Sequence, residues 1–318
     1  METALVTGGA GFIGSHLCEE LLGRGMKVVC FDNFEENYPK SVKEANIRGL
    51  LDDKNFVLVE GDVRKKEDVS GVFRQHKINY VFHIAAKTGV RPSVNDPVSY
   101  FGTNVNGTIN VLDACVKSKV KKFVFASSSS VYGSARIPFS ESGLTVPDSP
   151  YGVSKLAAEH ICRIYHNLYG IKSVCLRFFT VYGPRGRPDM APYIFTDRIS
   201  RQLPVRVFGD GSSMRDYTYV KDAVAGLVKA MEADMGFEVI NIGSSKPLKL
   251  VDFIGVIEKL LGKKADVAVE GEQPGDMKAT YADISKASLL IGFKPSVSVE
   301  QGMEEFVKWY RESSSLVV

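Results

Sequence analysis

The sequence predicts an α/β fold, built from a doubly wound parallel sheet and a smaller mixed α/β lobe in the C-terminal half. First, apolar strand-like runs alternate with helical periodicity from the start of the 318-residue chain to about residue 178. Second, these runs are apolar throughout, which is typical of parallel strands covered on both faces. Third, a glycine cluster separates the first run from the first helical pattern, which indicates a strand that enters a tight turn.

The elements follow one another in a regular order. After residue 178 the pattern loosens, because four prolines fall within 184–204. We expect a first domain over 1–176, joined by a returning segment near 205–245, and a second lobe made mainly of 177–318. The predicted strands are 4–7, 27–32, 56–60, 79–84, 121–127 and 174–178, and the predicted helices are 12–24, 41–52, 66–75, 97–118, 151–169 and 299–312.

The turn after the first strand has the spacing of a dinucleotide-binding loop. Gly9, Gly11 and Gly14 match G-x-G-x-x-G, and Gly8 extends the cluster. Glycine at the first two positions can adopt positive φ, Gly11 leaves room for a pyrophosphate, and Gly14 lets the helix pack close to the strand. The N–H groups at the start of that helix then face the phosphates. The pattern predicts a Rossmann-type sheet, with a glycine-rich surface turn as the alternative.

An acidic residue ends the second predicted strand. Asp32 stands 21 residues after Gly11. A carboxylate at this position accepts hydrogen bonds from a ribose 2′-hydroxyl and repels a 2′-phosphate. The sequence therefore predicts NAD rather than NADP as the cofactor.

Composition and charge argue against several classes of function. The net charge of +3 is too small to indicate a nucleic-acid partner, and the basic cluster 117–122 suits a helix C-terminus better. No apolar run approaches the roughly 20 residues of a membrane span, and the first strand begins too close to Met1 for a signal peptide. The histidines lack metal-ligand spacing, so we expect no metal site. We expect a cytoplasmic protein whose buried free thiols are Cys18, Cys30, Cys115, Cys162 and Cys175.

A tyrosine and a lysine form the candidate reaction centre. Tyr151 and Lys155 begin a predicted helix and share one face of it. The lysine charge lowers the tyrosine pKa, so that the phenolate becomes a usable base. The same spacing recurs at Tyr217 and Lys221, but only the first pair follows a buried strand that ends in serines. A serine there can pass a substrate proton to the tyrosine, or contact only the cofactor. The predicted catalytic set is Tyr151, Lys155, Ser127, Ser128 and Ser129.

Together these motifs resemble those of the extended short-chain dehydrogenase/reductases, a family of nucleotide-sugar epimerases and dehydratases. The resemblance covers nearly all 318 residues. It implies a Rossmann-type domain that binds NAD and a C-terminal lobe that binds a nucleotide sugar. The matching segments are Thr7–Gly14, Asp32–Asn33, Asp62–Val63, His83–Ala86, Asn104, Ser127–Gly133, Tyr151–Lys155, Arg177–Phe179, Phe208–Gly211 and Arg215–Val220.

The resemblance also implies which residues hold the two ligands. Residues that match Asp62 and Val63 hold the adenine, and the one that matches Arg215 holds the substrate diphosphate, which suits a planar guanidinium. A surface salt bridge is the alternative for Arg215. The implied cofactor-binding residues are Gly8, Gly11, Phe12, Ile13, Asp32, Asn33, Asp62, Val63, Ala85, Ala86, Lys87, Asn104, Tyr151, Lys155 and Phe178. The implied substrate-binding residues are Arg91, Ser129, Ser130, Thr180, Arg187, Ala191, Val207, Arg215 and Asp276.

Two serines narrow the reaction. Family members that dehydrate a sugar have an acidic pair where this chain has Ser129 and Ser130, and UDP-glucuronate decarboxylases have serine and glutamate. Without a carboxylate at C5 of the sugar, removal and return of the C4 hydride remains. The chain is therefore similar to the 4-epimerases. In these, the matching tyrosine takes the C4 hydroxyl proton, the hydride passes to NAD, and the transient 4-keto sugar turns and recovers the hydride from bound NADH.

The segment after residue 178 indicates the sugar. Thr180 and the run 186–191 resemble UDP-glucuronate 4-epimerases, whereas UDP-galactose 4-epimerases usually have asparagine in place of the threonine. A C6 carboxylate suits hydroxyl and guanidinium partners, which the two serines, Thr180 and Arg187 can supply. Fixed hydrogen bonds can also hold that carboxylate near the plane of the C4 ketone, which disfavours loss of CO2.

Several alternatives stay open. Arg185 and Arg187 can instead shape a loop or touch a phosphate. The substrate can be a neutral sugar such as UDP-glucose or UDP-N-acetylglucosamine, and a decarboxylase or dehydratase is a more distant alternative. A redox fold that only senses nucleotides is a third class, against which the intact Tyr151 and Lys155 argue.

A homodimer completes the expectations. Members of the family commonly pair two helices into a four-helix bundle, and here these are the helices near 97–118 and 151–169. Their apolar surface is expected at Ile109, Val111, Leu112 and Val116, unless these residues face only their own sheet. The expected partners are a UDP-sugar and a second copy of the chain, with no nucleic acid and no membrane.

Overall fold

The structure is a computed structural model that describes residues 1–271 and 277–314. Its regular elements follow the predicted alternation of strand and helix. The strands are β1 (Thr3–Thr7), β2 (Lys27–Asp32), β3 (Phe56–Glu60), β4 (Tyr80–His83), β5 (Lys122–Ser128), β6 (Ser173–Phe178), β7 (Thr180–Tyr182), β8 (Val205–Phe208), β9 (Met214–Tyr219), β10 (Phe237–Ile242), β11 (Pro247–Lys249) and β12 (Val267–Glu270). The helices are α1 (Phe12–Gly23), α2 (Lys40–Ile47), α3 (Lys66–Gln75), α4 (Val90–Asn95), α5 (Pro97–Phe101), α6 (Gly107–Lys117), α7 (Pro150–Tyr169), α8 (Ala191–Ser200), α9 (Val220–Glu232), α10 (Leu250–Leu261), α11 (Ser285–Ile291) and α12 (Val299–Ser314).

The central sheet has seven strands in the order β10–β6–β5–β4–β1–β2–β3 over the described part of the chain. Each neighbouring pair is parallel. Successive strands are added outwards from β1 to β3 on one side of the sheet and from β4 to β6 on the other. The order in which strands are added therefore reverses between β1 and β4, while all strands stay parallel. The loops that leave these two strands diverge and open a crevice, the usual ligand position in such sheets. The predicted doubly wound, Rossmann-type sheet is confirmed.

The sheet is buried on both faces, which explains why its strands are apolar throughout. In β1, Ala4 and Val6 face one core and Leu5 faces the other. Helices α1 and α9 cover the first face, and α3, α6 and α7 cover the second. Each fully buried valine or leucine side chain contributes about 1.5–3 kcal/mol, so the two cores hold the sheet edge rigid where ligands bind. All five cysteines are buried and free, as predicted.

Two small sheets form the C-terminal lobe. One contains β11, β9 and β7, and in the other β12 pairs with β8. Helices α8, α10 and α12 pack beside them. The chain also returns to the central sheet, where α9 packs on it and β10 pairs with β6. This return lies within the predicted segment 205–245, but β8 and β9 stay in the lobe. The division of the chain at residue 176 stays a prediction.

The helix predicted over 97–118 is interrupted. A π-helical segment, Gly102–Asn106, separates α5 from α6. Glycines stand at position 102 and directly after the segment at Gly107, and glycine is a poor helix former. The wider turn brings the Asn104 amide to the Lys87 backbone, where Oδ1 accepts the N–H at 2.9 Å and Nδ2 donates to the carbonyl at 3.0 Å. Segments of this kind often mark functional sites. The helix predicted over 41–52 likewise ends at Ile47, followed by a 3₁₀ turn.

The predicted dimer surface on these helices needs correction. Val111 and Leu112 are fully buried against their own sheet, so the expectation that they offer apolar surface is wrong. The helical period places them on the inner face of α6. Exposed apolar side chains on α5 and α7, which pack against each other, are instead Val98, Phe101, Ile164 and Leu168. Among the described residues, no helix is long and apolar enough to cross a membrane.

Candidate active site

A cavity of about 720 Å³ opens at the carboxyl edge of the central sheet, in the crevice between β1 and β4. Its walls come from the turn after β1, the ends of β2, β4, β5 and β6, the start of α7 and the loop before α8. The sheet therefore brings together motifs that are far apart in sequence. The predicted residues that line the cavity are Gly8, Gly11, Phe12, Ile13, Asp32, Asn33, Val63, Ala85, Ala86, Arg91, Ser127, Ser128, Ser129, Ser130, Tyr151, Lys155, Phe178, Thr180 and Arg187.

Six other predicted residues are described by the structure but lie outside the cavity wall, and a seventh, Asp276, is not described. The Lys87 ammonium lies 3.0 Å from a carboxylate oxygen of Glu35. Arg215 Nη1 donates to the Met214 carbonyl at 2.9 Å. Asp276 lies outside the described residues. Ligand contacts by these residues stay predictions. The six are Asp62, Lys87, Asn104, Ala191, Val207 and Arg215.

The glycine turn has the geometry that its spacing predicts. Gly8 has φ of +69°, and a Cβ there would lie 2.8 Å from the Ala85 nitrogen. A Cβ on Gly14 would lie 2.1 Å from the Gly8 carbonyl oxygen, so α1 can approach the turn only with glycine at this position. Gly11 borders the cavity directly before the N-terminus of α1. Backbone N–H groups at such a helix start suit a pyrophosphate.

Asp32 ends β2 at the cavity and is 5% exposed. Its two carboxylate oxygens accept the N–H groups of Ala10 at 3.1 Å and Phe34 at 2.8 Å, which fix the side chain. The Lys43 ammonium lies 3.5 Å away. This carboxylate, with the glycine turn beside it, fits the ribose and pyrophosphate of NAD. A contact between Asp32 and the ribose stays a prediction.

Asp62 lies outside the cavity wall and directly precedes Val63, which lines it. Its Oδ2 lies 2.5 Å from Arg64 Nη2 and 3.3 Å from the Asn33 amide nitrogen. Burial alone would raise the pKa of this carboxyl group, but the hydrogen bonds from Arg64 outweigh burial and lower the pKa. The neighbouring Val63 lines the wall. Asp62 is thus a fixed acceptor directly beside an apolar residue of the wall, and an adenine contact by the pair stays a prediction.

Tyr151 stands at the start of α7, which begins with the Ser149 side chain accepting the Gly152 N–H. The tyrosine is half-buried in the cavity wall. Desolvation raises the pKa of its hydroxyl, while a hydrogen bond with Ser128 and the Arg187 charge oppose that shift. Without a further positive charge the hydroxyl stays protonated at neutral pH. A base at this position therefore depends on the cations that face it.

Lys155 lies one helical turn further along α7 and is 2% exposed. Its ammonium donates to the Ala126 carbonyl at 2.7 Å and lies 4.8 Å from the centroid of the Phe125 ring. Burial lowers its pKa to about 7, and the Glu159 charge opposes that shift. Lys155 lies four residues after Tyr151 and so shares its face of α7, and a pKa of about 7 leaves its ammonium partly protonated at neutral pH.

The serines at the end of β5 divide into two groups. Ser128 bonds Tyr151, and its Oγ also lies 3.1 Å from the Ser130 hydroxyl and N–H. The hydroxyl of Ser127 instead donates to Glu159 at 2.5 Å. Successive side chains of a strand point to opposite faces, so the two hydroxyls have different partners although both line the cavity. The geometry favours Ser128 as the proton-relay serine and gives Ser127 a supporting contact.

The residues predicted to contact the sugar carboxylate bring three hydroxyls and one guanidinium to the cavity wall. Ser129, Ser130 and Thr180 all border it. Arg187 binds Asp189 through two contacts, Nε to Oδ1 at 2.9 Å and Nη2 to Oδ2 at 2.5 Å, and Nη1 donates to the Thr88 hydroxyl. An incoming anion would therefore compete with Asp189 for Arg187.

Arg185 has a different place from Arg187. It has a positive φ of 62°, and its guanidinium binds Glu19 at 2.8 Å and Ser15 at 3.5 Å on α1. It is absent from the cavity wall. For Arg185, the alternative that it shapes a loop is the one that the structure favours.

The second tyrosine and lysine at the same spacing do not form a site. Tyr217 lies in β9, is 2% exposed and stacks on Phe253 with ring centroids 4.2 Å apart. Lys221 lies on α9, after the strand has ended. The two residues therefore do not share a helix face, and the choice of Tyr151 and Lys155 agrees with the structure.

Sequence reasoning missed other residues of the cavity wall. Apart from Lys43 on α2, they lie in loops whose path depends on tertiary contacts, such as the β2–α2 loop, where Phe34 has a φ of +52°. The charged residues there had no spacing that marked them. The missed polar residues are Glu35, Asn37, Tyr38, Lys43, Thr88 and Asp189.

Similar solved structures have this architecture throughout. A UDP-glucuronic acid 4-epimerase from Bacillus cereus, solved in complex with UDP-glucuronic acid and NAD, is 41% identical, with a TM-score of 0.93 over 98% of this chain and 99% of that one. A UDP-glucose 4-epimerase from Thermotoga maritima, solved with UDP-glucose, is 32% identical, with a TM-score of 0.91 over 98% and 99%. Both likenesses extend over the sheet and the lobe together.

Sequence comparisons agree with the structural ones. A UDP-glucuronate 4-epimerase from Thermodesulfobacterium geofontis is 38% identical over 315 residues, which are 98% of this chain and 97% of that protein. Residues 4–243 match the model of the NAD dependent epimerase/dehydratase family. That range includes the glycine turn, Asp32, the β5 serines, Tyr151 and Lys155. This chain belongs to the NAD dependent epimerase/dehydratase family.

Proposed function

We propose that this chain is an NAD-dependent UDP-sugar 4-epimerase that converts UDP-glucuronate to UDP-galacturonate. The observation that carries the choice of reaction is the pair Ser129 and Ser130 beside Tyr151, where a dehydratase needs acids. The observation that supports the choice of sugar is Thr180 at the same end of the cavity. The relatives named for UDP-glucuronate cover nearly the whole chain and support the same substrate.

Three residues of the site have different roles in proton transfer. Tyr151 takes the C4 hydroxyl proton, Ser128 hydrogen-bonds the same oxygen, and the Lys155 charge stabilises the phenolate. Bound NAD accepts the C4 hydride and returns it to the other face of the sugar. Because the hydride returns, the reaction has no net oxidation and the cofactor can stay bound.

The sugar carboxylate is held, in this proposal, by Ser129, Ser130, Thr180 and Arg187. Hydroxyl and guanidinium donors form strong, charge-assisted hydrogen bonds to a carboxylate. Arg187 is bound by Asp189, so the sugar carboxylate has to replace part of that ion pair to reach the guanidinium. Fixed donors also keep the carboxylate close to the plane of the transient C4 ketone, which slows loss of CO2.

The remaining predicted contacts belong to the same proposal. The first domain binds NAD through the glycine turn and Asp32, and the second lobe holds the nucleotide. In the lobe, Arg215 binds the diphosphate, with Arg91, Ala191, Val207 and Asp276 around the UDP-sugar. We also propose a cytoplasmic homodimer. Its support is the free state of all five cysteines and the exposed apolar residues on α5 and α7.

A substrate panel tests the function. Purified protein is incubated separately with UDP-glucuronate, UDP-glucose and UDP-N-acetylglucosamine, and products are followed by proton NMR and mass spectrometry. We expect UDP-galacturonate from the first and much slower conversion of the others. Faster turnover of a neutral sugar would assign the substrate to the UDP-hexoses. Absence of turnover with all three would leave a nucleotide-sensing protein.

A further inference from the structure

The contacts between β5 and α7 follow one pattern, in which consecutive strand residues bind helix residues one turn apart. Ser128 bonds Tyr151, and the Ala126 carbonyl accepts from Lys155 at 2.7 Å. Ser127, between Ala126 and Ser128, makes the third contact, and its side chain points to the face of the strand opposite that of Ser128. The reaction centre is therefore the first part of a longer seam between the strand and the helix.

The third contact joins a buried ion pair. Glu159 lies one turn beyond Lys155 and is 3% exposed. Its Oε1 accepts from the Ser127 hydroxyl at 2.5 Å and from Arg177 Nε at 2.9 Å, and its Oε2 accepts from Arg177 Nη2 at 2.7 Å. The guanidinium lies 4.7 Å from the centroid of the Tyr132 ring. Buried ion pairs of this kind contribute little to stability beyond what apolar residues of the same volume provide, so the position of this one needs another reason.

We propose that Glu159, held by Arg177, is a positioning residue for the reaction centre, which fixes the end of β5 against α7 and supplies the countercharge of the Lys155 ammonium. The inference rests on the proposed 4-epimerase function, in which the lysine stays protonated while Tyr151 loses its proton. The Glu159 carboxylate binds Ser127, the strand residue between Ala126 and Ser128, which contact Lys155 and Tyr151. Through its charge, it opposes the burial of Lys155.

Among the ionisable groups near Lys155, Glu159 is the one that can supply the countercharge. Burial raises the pKa of the Cys175 thiol well above its usual value and lowers the pKa of His83 to about 3, so both are neutral near pH 7. Arg177 binds both carboxylate oxygens of Glu159, so the cluster contains one carboxylate and two cations, Arg177 and Lys155. Among these neighbours the carboxylate is thus the anion. The groups that act on Lys155, or on which it acts, are Glu159 and Cys162 from α7, Cys175 from β6 and His83 from β4, and Arg177 from β6 is bound to Glu159.

The test follows the titration of Lys155 directly. Protein labelled with ¹³C at the lysine ε carbons is titrated by NMR, and the Lys155 resonance is assigned by its loss in Lys155→Ala. Glu159→Gln keeps the shape of the side chain and removes its charge. We expect the Lys155 pKa to fall by about one unit, since an opposite charge at close range shifts a pKa by about 1–3 units. The alkaline limb of kcat should move to lower pH by a similar amount, with a smaller change in KM.

A matched control separates this effect from loss of a buried carboxylate in general. Asp222 on α9 is 6% exposed and accepts from Ser296 Oγ at 2.9 Å. Asp222→Asn should lower the thermal midpoint and leave both the Lys155 titration and the pH profile as in the wild type. A shift of equal size in this control would overturn the proposal.

A second variant covers the case in which Glu159→Gln does not fold. Glu159→Gln combined with Arg177→Met removes both charges, and Lys155 should again titrate below the wild type. An unchanged Lys155 titration in whichever variant folds overturns the proposal. So does a loss of kcat that is uniform across pH, which marks a purely structural pair. If the wild-type protein converts no UDP-sugar, the proposed function fails, while the lysine titration still decides the countercharge.

Discussion

At the scale of single residues, the Tyr151 hydroxyl is the atom on which the proposed reaction depends. Tyr151→Phe removes it and keeps the ring, whose edge-on contact with Tyr100 has centroids 6.1 Å apart. We expect kcat to fall by about 10²–10⁴-fold, the usual contribution of a general base, with the thermal midpoint and the bound NAD unchanged. Steady-state kinetics and mass spectrometry check this. A variant that keeps more than about a tenth of the rate removes Tyr151 from this role.

Arg187 decides whether the site distinguishes a charged sugar. Arg187→Ala should weaken UDP-glucuronate by about 10- to 150-fold, since a buried charged hydrogen bond contributes about 1.5–3 kcal/mol, and should affect UDP-glucose much less. Thr180→Val should act in the same direction by less. Isothermal titration with both UDP-sugars measures the difference, and a CO2 assay detects decarboxylation as the carboxylate loosens.

Arg185 offers the matched control for that experiment. It lies two residues away and binds Glu19 and Ser15 on α1, outside the cavity. Arg185→Ala should leave the ratio of affinities for the two UDP-sugars unchanged. If Arg187→Ala instead weakens UDP and every UDP-sugar equally, Arg187 binds the diphosphate and not the sugar carboxylate.

His83 makes the free energy of unfolding depend on pH. It is fully buried, its two ring nitrogens lie 2.7 Å and 3.0 Å from the hydroxyls of Thr7 and Thr108, and burial lowers its pKa to about 3. The unfolded chain binds a proton on this ring below about pH 6.5, and the folded protein does not until about pH 3. The free energy of unfolding is therefore unaffected above pH 6.5 and falls as pH drops from 6.5 towards 3.

This linkage has a size that denaturation can measure. At pH 5 the loss attributable to His83 is about 2 kcal/mol, because each pKa unit corresponds to about 1.36 kcal/mol. Urea denaturation at pH 7 and pH 5 should show that His83→Asn loses about 2 kcal/mol less than the wild type over this interval. The exposed His160→Asn serves as the control and should behave as the wild type. Equal losses in all three proteins would contradict the prediction.

The residues that sequence reasoning found share one property, which is that local chain geometry places them. The glycine turn, Asp32 and the Tyr151–Lys155 pair follow from a strand, a turn and one helical period. Glu159 and Asp189 could not be found this way. Their roles arise where separate segments meet, as when Glu159 meets Arg177 of the neighbouring strand, and no spacing in the sequence records that meeting.

At the scale of elements, the strands were predictable because burial on both faces leaves a continuous apolar run. The interruption of the helix over 97–118 was not, because its apolar period continues through the π-helical segment Gly102–Asn106. The apolar period also did not show that Val111 and Leu112 are buried while Val98 and Phe101 are exposed. A period alone does not say which of several apolar residues face the sheet.

The α5 and α7 surface gives a prediction about assembly. Ile164 and Leu168 are 49% and 67% exposed on one face of α7. Replacing both with aspartate should convert a dimer of twice the chain mass of 34.9 kDa into a monomer, as measured by light scattering at micromolar concentration. Leu289→Asp, on the exposed side of α11, should leave the mass unchanged. A wild-type mass near that of one chain would refute the dimer.

At the scale of the whole molecule, the central sheet and β7 of the lobe both line the cavity in which we expect the cofactor. A reaction that returns its hydride does not need to release NAD. We expect protein purified without added cofactor to be active, and mass spectrometry of the denatured protein to find NAD or NADH. NADP as the main bound species would contradict the role of Asp32, since its carboxylate repels a 2′-phosphate.

The position of β10 bears on how the protein is made. This strand pairs with β6 at the edge of the sheet, yet it follows the lobe strands β7, β8 and β9 in the chain. A ribosome therefore synthesises much of the lobe before the sheet can be completed, and the free edge of β6 stays open to wrong partners during that interval. Translation arrested after residue 236 should yield chains bound by chaperones or prone to aggregate, whereas arrest well beyond residue 242, with β10 outside the ribosome, should yield protease-resistant sheets.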